Sequence, residues 1–309
     1  MTDLNVPSTE EMSRCGFVAL IGAPNAGKST LINALVGTKV AIVTPKVQTT
    51  RAPLRGIAME QQSQIIILDT PGIFTARRSL DEAMVESAWA GASDADIVIM
   101  ITDARRGLDD DAESIIQRLR ESEFEAHLVL NKVDLIRREE LLETAKIFND
   151  RFGFGRTFMI SALTGDGLAG LRSFLADTVP KGPWLYPEDQ VADAPLRQIA
   201  AEITREKLFL KLHQELPYAS TVETEAWTEQ KDGSVRIDQV IYVERDGQKK
   251  IVLGKGGETI KAIGQAARRE IGKFVGVPVH LFLFVKVREK WSTDPERLRM
   301  MGLVPPSRS

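Results

Sequence analysis

One cysteine, Cys15, occurs in 309 residues, so no disulfide can close within the chain and a reducing compartment is the expected setting. Histidine is nearly as scarce: His127, His213 and His280 stand far apart and lack metal-ligand spacing. No apolar run approaches the roughly 20 residues needed to cross a bilayer. Met1 to Arg14 is polar and acidic, without the apolar core of a secretory signal. These absences argue against a disulfide-stapled domain, a histidine-ligated metal centre and a membrane-spanning protein. A cytoplasmic location is the expectation.

What is present is globular: 43% hydrophobic and 27% charged residues, in a length that suits about two domains. The net charge of −3 hides an asymmetry. Residues 196–309 carry 20 basic against 15 acidic side chains, while residues 1–195 carry 20 against 28. Within Arg245 to Lys290 the count is 11 against 4. A basic region on an acidic protein suits a polyanionic partner, because neutralised phosphates release counterions. A solvated charged face is the competing explanation.

From Gly16 to Val179 strands alternate with helices. The strand candidates are 17–21, 65–68, 97–101, 128–130 and 158–160, with helical stretches at 28–35, 110–121 and 139–152. Such alternation predicts an α/β domain with a mostly parallel sheet and helices on both faces. Four prolines and little periodicity in 180–195 read as a linker. Beyond it come a helix, two alternating segments (219–227 and 235–243), a basic helical region (248–275) and a last alternating strand (277–287), which is an α+β layout. The expected division is a flexible N-terminus over 1–14, a first domain over 15–180, a linker over 181–195, a second domain over 196–290 and a tail over 291–309.

Gly22-Ala23-Pro24-Asn25-Ala26-Gly27-Lys28-Ser29, followed by Thr30, fits Gly-x-x-x-x-Gly-Lys-Ser/Thr between a strand and a helix, the context of a phosphate loop. Its amides and helix N-terminus can receive phosphate. Lys28 can reach the β- and γ-phosphates, and the Ser29 hydroxyl can ligate Mg²⁺. Asn131-Lys132-Val133-Asp134 names the base: a carboxylate at Asp134 accepts both N–H groups of guanine's pairing edge, which adenine lacks. Asn131 either bonds the base or braces the loop, and the Lys132 stem can pack on the ring. Asp69-Thr70-Pro71-Gly72 closes another strand; Asp69 would hold Mg²⁺ through water, and the Gly72 amide would sense the γ-phosphate. Thr49 and Thr50 precede it, with Thr50 favoured to complete the Mg²⁺ shell. Ser161-Ala162-Leu163 can offer an amide to the guanine oxygen. The expected catalytic set is Lys28, Thr50, Asp69 and Gly72.

In this order the five motifs resemble the guanine-nucleotide elements of the translation-factor-related GTPases. The spellings Gly-x-Pro-Asn-x-Gly-Lys-Ser and Asp-Thr-Pro-Gly narrow the resemblance to the bacterial Era/Der/MnmE group. Ile73 stands where Ras-type enzymes place the glutamine that orients the attacking water, so slow intrinsic hydrolysis is expected. In related GTPases an asparagine matching Asn25 helps to bind K⁺, and K⁺ or a partner is expected to supply the missing help. Equal turnover in Na⁺ and K⁺ would remove the potassium part of that expectation.

Gly254-Lys255-Gly256-Gly257 lies between helical segments, with Lys249, Lys250 and Lys261 nearby. It is similar to the backbone-clamping Gly-x-x-Gly loop of KH domains. Gly167–Gly170 has the same spelling, so context carries the reading. Ile251, Ile260 and Ile263 are candidates for an apolar groove. Trp227 and Trp291 suit packing better than base stacking, and Phe282 and Phe284 are expected against neighbouring structure. The element order resembles a type II KH domain, and a G domain joined to one resembles the Era family over nearly the whole chain. Family resemblance implies binding near the 3′ end of small-subunit ribosomal RNA, assistance to ribosomal subunit assembly, peripheral membrane association and a monomer. Two departures stand out: Lys255-Gly256 replaces the common Asn-Lys, and Ala23 stands where arginine is frequent. A GTP-gated binding module with incidental hydrolysis is the alternative.

Overall fold

The computed structural model describes residues 13–44, 46, 50, 54–74, 76, 79–122, 124–213, 216–301 and 303. The expected flexible segment before Ser13, together with Thr49 and Arg51, lies outside the described residues. The chain divides into two compact units. One comprises the residues up to Ala41 with Thr50–Asp193; the other comprises Ala194–Met301 with the short Ile42–Thr49 segment.

In the first unit, aliphatic runs form β1 (Arg14–Ile21), β2 (Leu54–Glu60), β3 (Ser63–Asp69), β4 (Ile97–Asp103), β5 (Ala126–Asn131) and β6 (Thr157–Ile160). The sheet order is β2-β3-β1-β4-β5-β6, with β2 antiparallel to β3 and the other pairs parallel. The helices are α1 (Lys28–Val36), α2 (Ser79–Ser93), α3 (Asp110–Ser122), α4 (Arg138–Arg151) and α5 (Leu168–Thr178). Every residue of β4 is buried, the signature of a strand covered on both faces. Ala88, Ile116 and Phe148 from three of these helices pack with Ile21, Met100 and Leu128 of the sheet.

Prolines made residues 181–195 read as a linker, yet the stretch is tied to the first unit along its length. The Cys15 amide donates to Pro180 O at 3.0 Å. Gln64, fully buried on β3, accepts from the Leu185 and Tyr186 amides at 2.9 and 3.0 Å and donates to Tyr186 O at 2.8 Å. Further on, the Ile57 amide of β2 donates to Val191 O and the Asp193 amide donates to Arg55 O, both at 2.9 Å. Arg55 and the Tyr186 hydroxyl both bond the Asp193 carboxylate.

The second unit contains α6 (Leu196–Lys211), β7 (Ser220–Glu229), β8 (Val235–Val243), α7 (Asp246–Leu253), α8 (Glu258–Val275), β9 (Val279–Val287) and α9 (Pro295–Met300). The sheet order is β7-β8-β9, antiparallel then parallel. Its core gathers Leu208, Phe209, Val222, Ile241, Val252, Ile263 and Val285. Ile263 is thus a core residue, and Ile251 is exposed, so of the three expected groove isoleucines only Ile260 serves as one. Phe282 and Phe284 also depart from expectation, being 45% and 51% exposed. They sit on the uncovered face of the outer strand β9, with the Arg236 guanidinium 4.7 Å from the Phe282 ring centre. Trp291 is buried and its indole N–H donates to Ala219 O at 3.1 Å. The expected tail from residue 291 therefore opens with folded structure. Among the described residues no helix is long and apolar enough to cross a membrane.

Candidate guanine-nucleotide and nucleic-acid sites

Parallel strands bring the sequence motifs to one edge of the first sheet. β1 runs into the phosphate loop, and Leu20 is in register with Asp69 at the end of β3. Asp103 at the end of β4 is in register with Asn131, and Asn131 with Ile160 just before Ser161. The chain turns to opposite sides of β1, toward β3 and toward β4, which makes this edge the topological switch point where α/β sheets bind ligands.

The phosphate loop curls from Gly22 to Gly27, with Asn25 exposed and left-handed at φ 64°. Gly27 has φ 103°, and a Cβ there would stand 2.2 Å from Asn131 Nδ2. Only glycine meets both demands. Thr30 lies in the first turn of α1, while the Ile73 amide donates to Gly22 O at 3.0 Å and brings the Asp69–Gly72 turn beside the loop. Thr70 Oγ1 anchors that turn by donating to Leu20 O. Ile73 itself is a buried core residue, a hydrocarbon where water would have to be oriented.

The Lys28 ammonium donates to Gly22 O at 2.8 Å and Ala23 O at 3.0 Å. Burial pushes its pKa down to about 8, a fall that the Asp69 carboxylate limits. The unfolded chain keeps this proton to higher pH. The group's penalty on folding is therefore full below pH 8 and is relieved as pH rises toward 10.5. A bound phosphate favours the ammonium, so nucleotide binding above pH 8 takes up protons. At pH 8.5 we expect net proton uptake when GDP binds, seen as a heat of binding that differs between buffers of unlike ionisation enthalpy. Identical heats in both buffers would refute it.

Three hard oxygen donors converge below the loop. Thr50 Oγ1 donates to Asp69 Oδ2 at 2.7 Å; Ser29 Oγ lies 3.1 Å from Thr50 Oγ1 and 3.4 Å from Asp69 Oδ2. One carboxylate and two hydroxyls fit Mg²⁺ that also keeps water and substrate phosphates in its shell. Mg²⁺ held there would neutralise charge on the β- and γ-phosphates.

At the base loop, Asn131 makes the bracing contacts. Its Nδ2 donates to Ala26 O at 2.9 Å, and its Oδ1 accepts from the Ala162 amide at 3.0 Å. The Ser161 amide is engaged by Asp166 O, and the Leu163 side chain is 81% exposed. Lys132 is left-handed at φ 65° and donates to Asn25 O at 2.7 Å and Asp103 Oδ2 at 2.8 Å. Asp134 follows, exposed, in a short 3₁₀ turn. Asp103 and Arg105 were absent from the sequence reading. The available signal was an Asp-x-Arg step at the end of the buried 97–101 run.

In the second unit, the segment Gly254–Gly257 joins α7 to α8. Gly254, Gly256 and Gly257 all have positive φ, and a Cβ at Gly254 would meet Thr259 Oγ1 at 2.2 Å. The loop exposes Lys255 and Gly256 beside Lys250 and Lys261, with Lys249 half-buried on α7. From it an open groove runs between α8 and β9, lined by Ile260, Gly264, Leu281 and Leu283. It continues past Gln265 and Arg268 to Arg269, Lys273 and Val277. Arg268, Arg269 and Lys273 also escaped the sequence reading, since only the fold lines them up.

A nucleotide-gripping, mostly parallel sheet with guanine-selective and Mg²⁺-type side chains defines a P-loop GTPase, here joined to a KH domain. Residues 17–132 match the family described as 50S ribosome-binding GTPase, and residues 215–292 match the KH domain. The chain is 62% identical to GTPase Era of Rhizobium meliloti (strain 1021), with 98% of this chain and 99% of that one covered. It is 63% identical to GTPase Era of Brucella suis biovar 1 (strain 1330), over 94% of each chain. Its structure superposes with a TM-score of 0.89 on Aquifex aeolicus Era bound to GDP and AlF4⁻, at 36% identity and covering 94% and 99% of the two chains. It superposes equally well, again at 0.89, on Era in complex with MgGDPNP and nucleotides 1506–1542 of 16S ribosomal RNA. The chain belongs to the Era family of GTPases. It binds and hydrolyses GTP, and the incidental-hydrolysis alternative is not favoured.

Proposed function

We propose that guanine-nucleotide state controls how tightly this chain holds ribosomal RNA from the 3′ region of the small subunit, and that this cycle assists subunit assembly. The observation that carries the RNA half is the Gly254–Gly257 loop at the head of the α8–β9 groove. Lys255, Lys261, Arg268, Arg269 and Lys273 along it make no ion pair among the described residues. Cations left unpaired along a groove suit a single strand whose phosphates track past them. The 16S fragment held by the related Era supports the choice of RNA. Peripheral membrane association and a monomeric state complete the reading that the resemblance suggests. In this reading Lys28 acts on the phosphates together with Mg²⁺ that Ser29, Thr50 and, through water, Asp69 would hold, while Asp134 reads guanine and the Gly72 amide reports the γ-phosphate.

Binding of a labelled single-stranded RNA from the small-subunit 3′ end tests this, with GDP and with a non-hydrolysable GTP analogue across a salt series. We expect tighter binding with the analogue. We also expect log affinity to fall with log salt at a slope of about 3.5, since each of five neutralised phosphates contributes about 0.7 on a single strand. Equal affinity in both nucleotide states would sink the switch, and a flat salt response would sink the phosphate-tracking groove.

A further inference from the structure

Lys132, like Asn131, ties the base loop to the phosphate loop by a side-chain hydrogen bond. Its ammonium is shared between Asn25 O at 2.7 Å and Asp103 Oδ2 at 2.8 Å. Its stem passes above the phosphate loop, with Cε 4.0 Å from the place a Cβ would take on Gly27. A lysine stem is held by the partners of its head, because four rotatable bonds otherwise leave it free. Asn25 offers a backbone carbonyl from an exposed, left-handed position in the loop. Asp103 is different: it closes β4, is 4% exposed and sits opposite Asn131 in the sheet register.

The Asp103 carboxylate is saturated. Oδ1 accepts the Arg105 amide at 3.1 Å and Arg105 Nε at 3.0 Å; Oδ2 accepts Arg105 Nη2 at 2.6 Å and Lys132 Nζ. Burial alone would raise its pKa, but these donors from Arg105 and Lys132 outweigh burial and hold it at about 2. These donors keep the carboxylate in its charged form near neutral pH. Arg105, with a side chain 47% exposed, completes the carboxylate from the solvent side.

We propose that Asp103 is a positioning residue for the guanine nucleotide: by pinning the Lys132 ammonium to the end of β4, it holds the lysine stem as a wall for the base and keeps base loop and phosphate loop joined. The inference rests on the reading that Asn131–Asp134 receives guanine. Asp103 works through Lys132 and makes no contact with the nucleotide. Neutralising it frees the lysine head to solvent, so the cost falls on nucleotide retention more than on the chemical step.

Release of a fluorescent GDP from the full chain tests this in Asp103→Asn, Lys132→Met, the double variant and Arg105→Gln. Asp103→Asn is expected to speed release by tenfold or more and to raise KM for GTP similarly, while kcat falls less than threefold. Arg105→Gln, with its donors replaceable by water, is expected to change release less than threefold. The double variant is expected to release GDP no faster than the faster single variant, because the carboxylate has nothing left to hold. Release in the double variant equal to the product of the two single effects would overturn the proposal, showing that Asp103 acts through the fold and not through Lys132. Unchanged release in Asp103→Asn would overturn it as well. Unchanged release in Lys132→Met has a separate meaning, since it would remove the base-site reading on which the proposal rests. Asp103→Glu, which restores the charge one methylene farther out, is expected to recover at least part of the lost retention.

Discussion

Asp134→Asn is expected to lower affinity for GDP by at least about 10³-fold and to raise affinity for xanthosine diphosphate. Guanine presents two donors, N1–H and the exocyclic amine, to one carboxylate. Charged hydrogen bonds of this kind are worth about 1.5–3 kcal/mol each. Asparagine retains one acceptor but turns an amine toward the guanine amine, which sets donor against donor. Xanthine carries an oxygen at that position, and asparagine's acceptor–donor pair matches it. The fold should be indifferent, because Asp134 is exposed in its 3₁₀ turn and exposed substitutions usually stay within about 0.5 kcal/mol. Calorimetric titration with both nucleotides decides the matter. A variant binding GDP within tenfold of the parent would place guanine recognition elsewhere.

Gly256→Asp is expected to weaken binding of the 3′-end RNA by about 10²–10³-fold. The position has φ 62° and ψ 17°, and a Cβ there meets nothing within 4 Å. Aspartate is among the few residues that enter this left-handed region readily, so the variant should melt within a few degrees of the parent. What changes is charge: a carboxylate about 4 Å from a phosphate costs about 4 kcal/mol at an effective dielectric of 20. Gly254→Ala would act by another route, because its Cβ would be driven to 2.2 Å from Thr259 Oγ1 and the loop itself would deform. Retention of RNA by a well-folded Gly256→Asp protein would remove the loop from the RNA site.

The two units differ in how far their residues announced them. The phosphate loop and Asp134 were readable because each needs contiguous residue types at the end of an apolar strand. β2 was not: Gly56 interrupts its apolar run, and it pairs as the sole antiparallel member of the sheet. The strap over 181–193 was hidden because its hold lies in backbone groups and in Gln64, a residue with no spacing signature. Asp103 belongs to the same class, since its partner lies 29 residues away and meets it only through strand register. Alternation in β9 placed Val279 and Val285 correctly inward. It could not say that the opposite face would stay open and leave Phe282 and Phe284 exposed.

The strap bears on how the GTPase half can be handled alone. Truncation at residue 180, the first-domain boundary expected from the sequence, would uncover the Ile57 amide and Arg55 carbonyl of β2 and strip Gln64 of its bonds to Leu185 and Tyr186. A bare outer strand is a template for pairing with a second molecule. A fragment ending after Asp193 keeps that strand occupied, so it should remain dispersed where the shorter one precipitates.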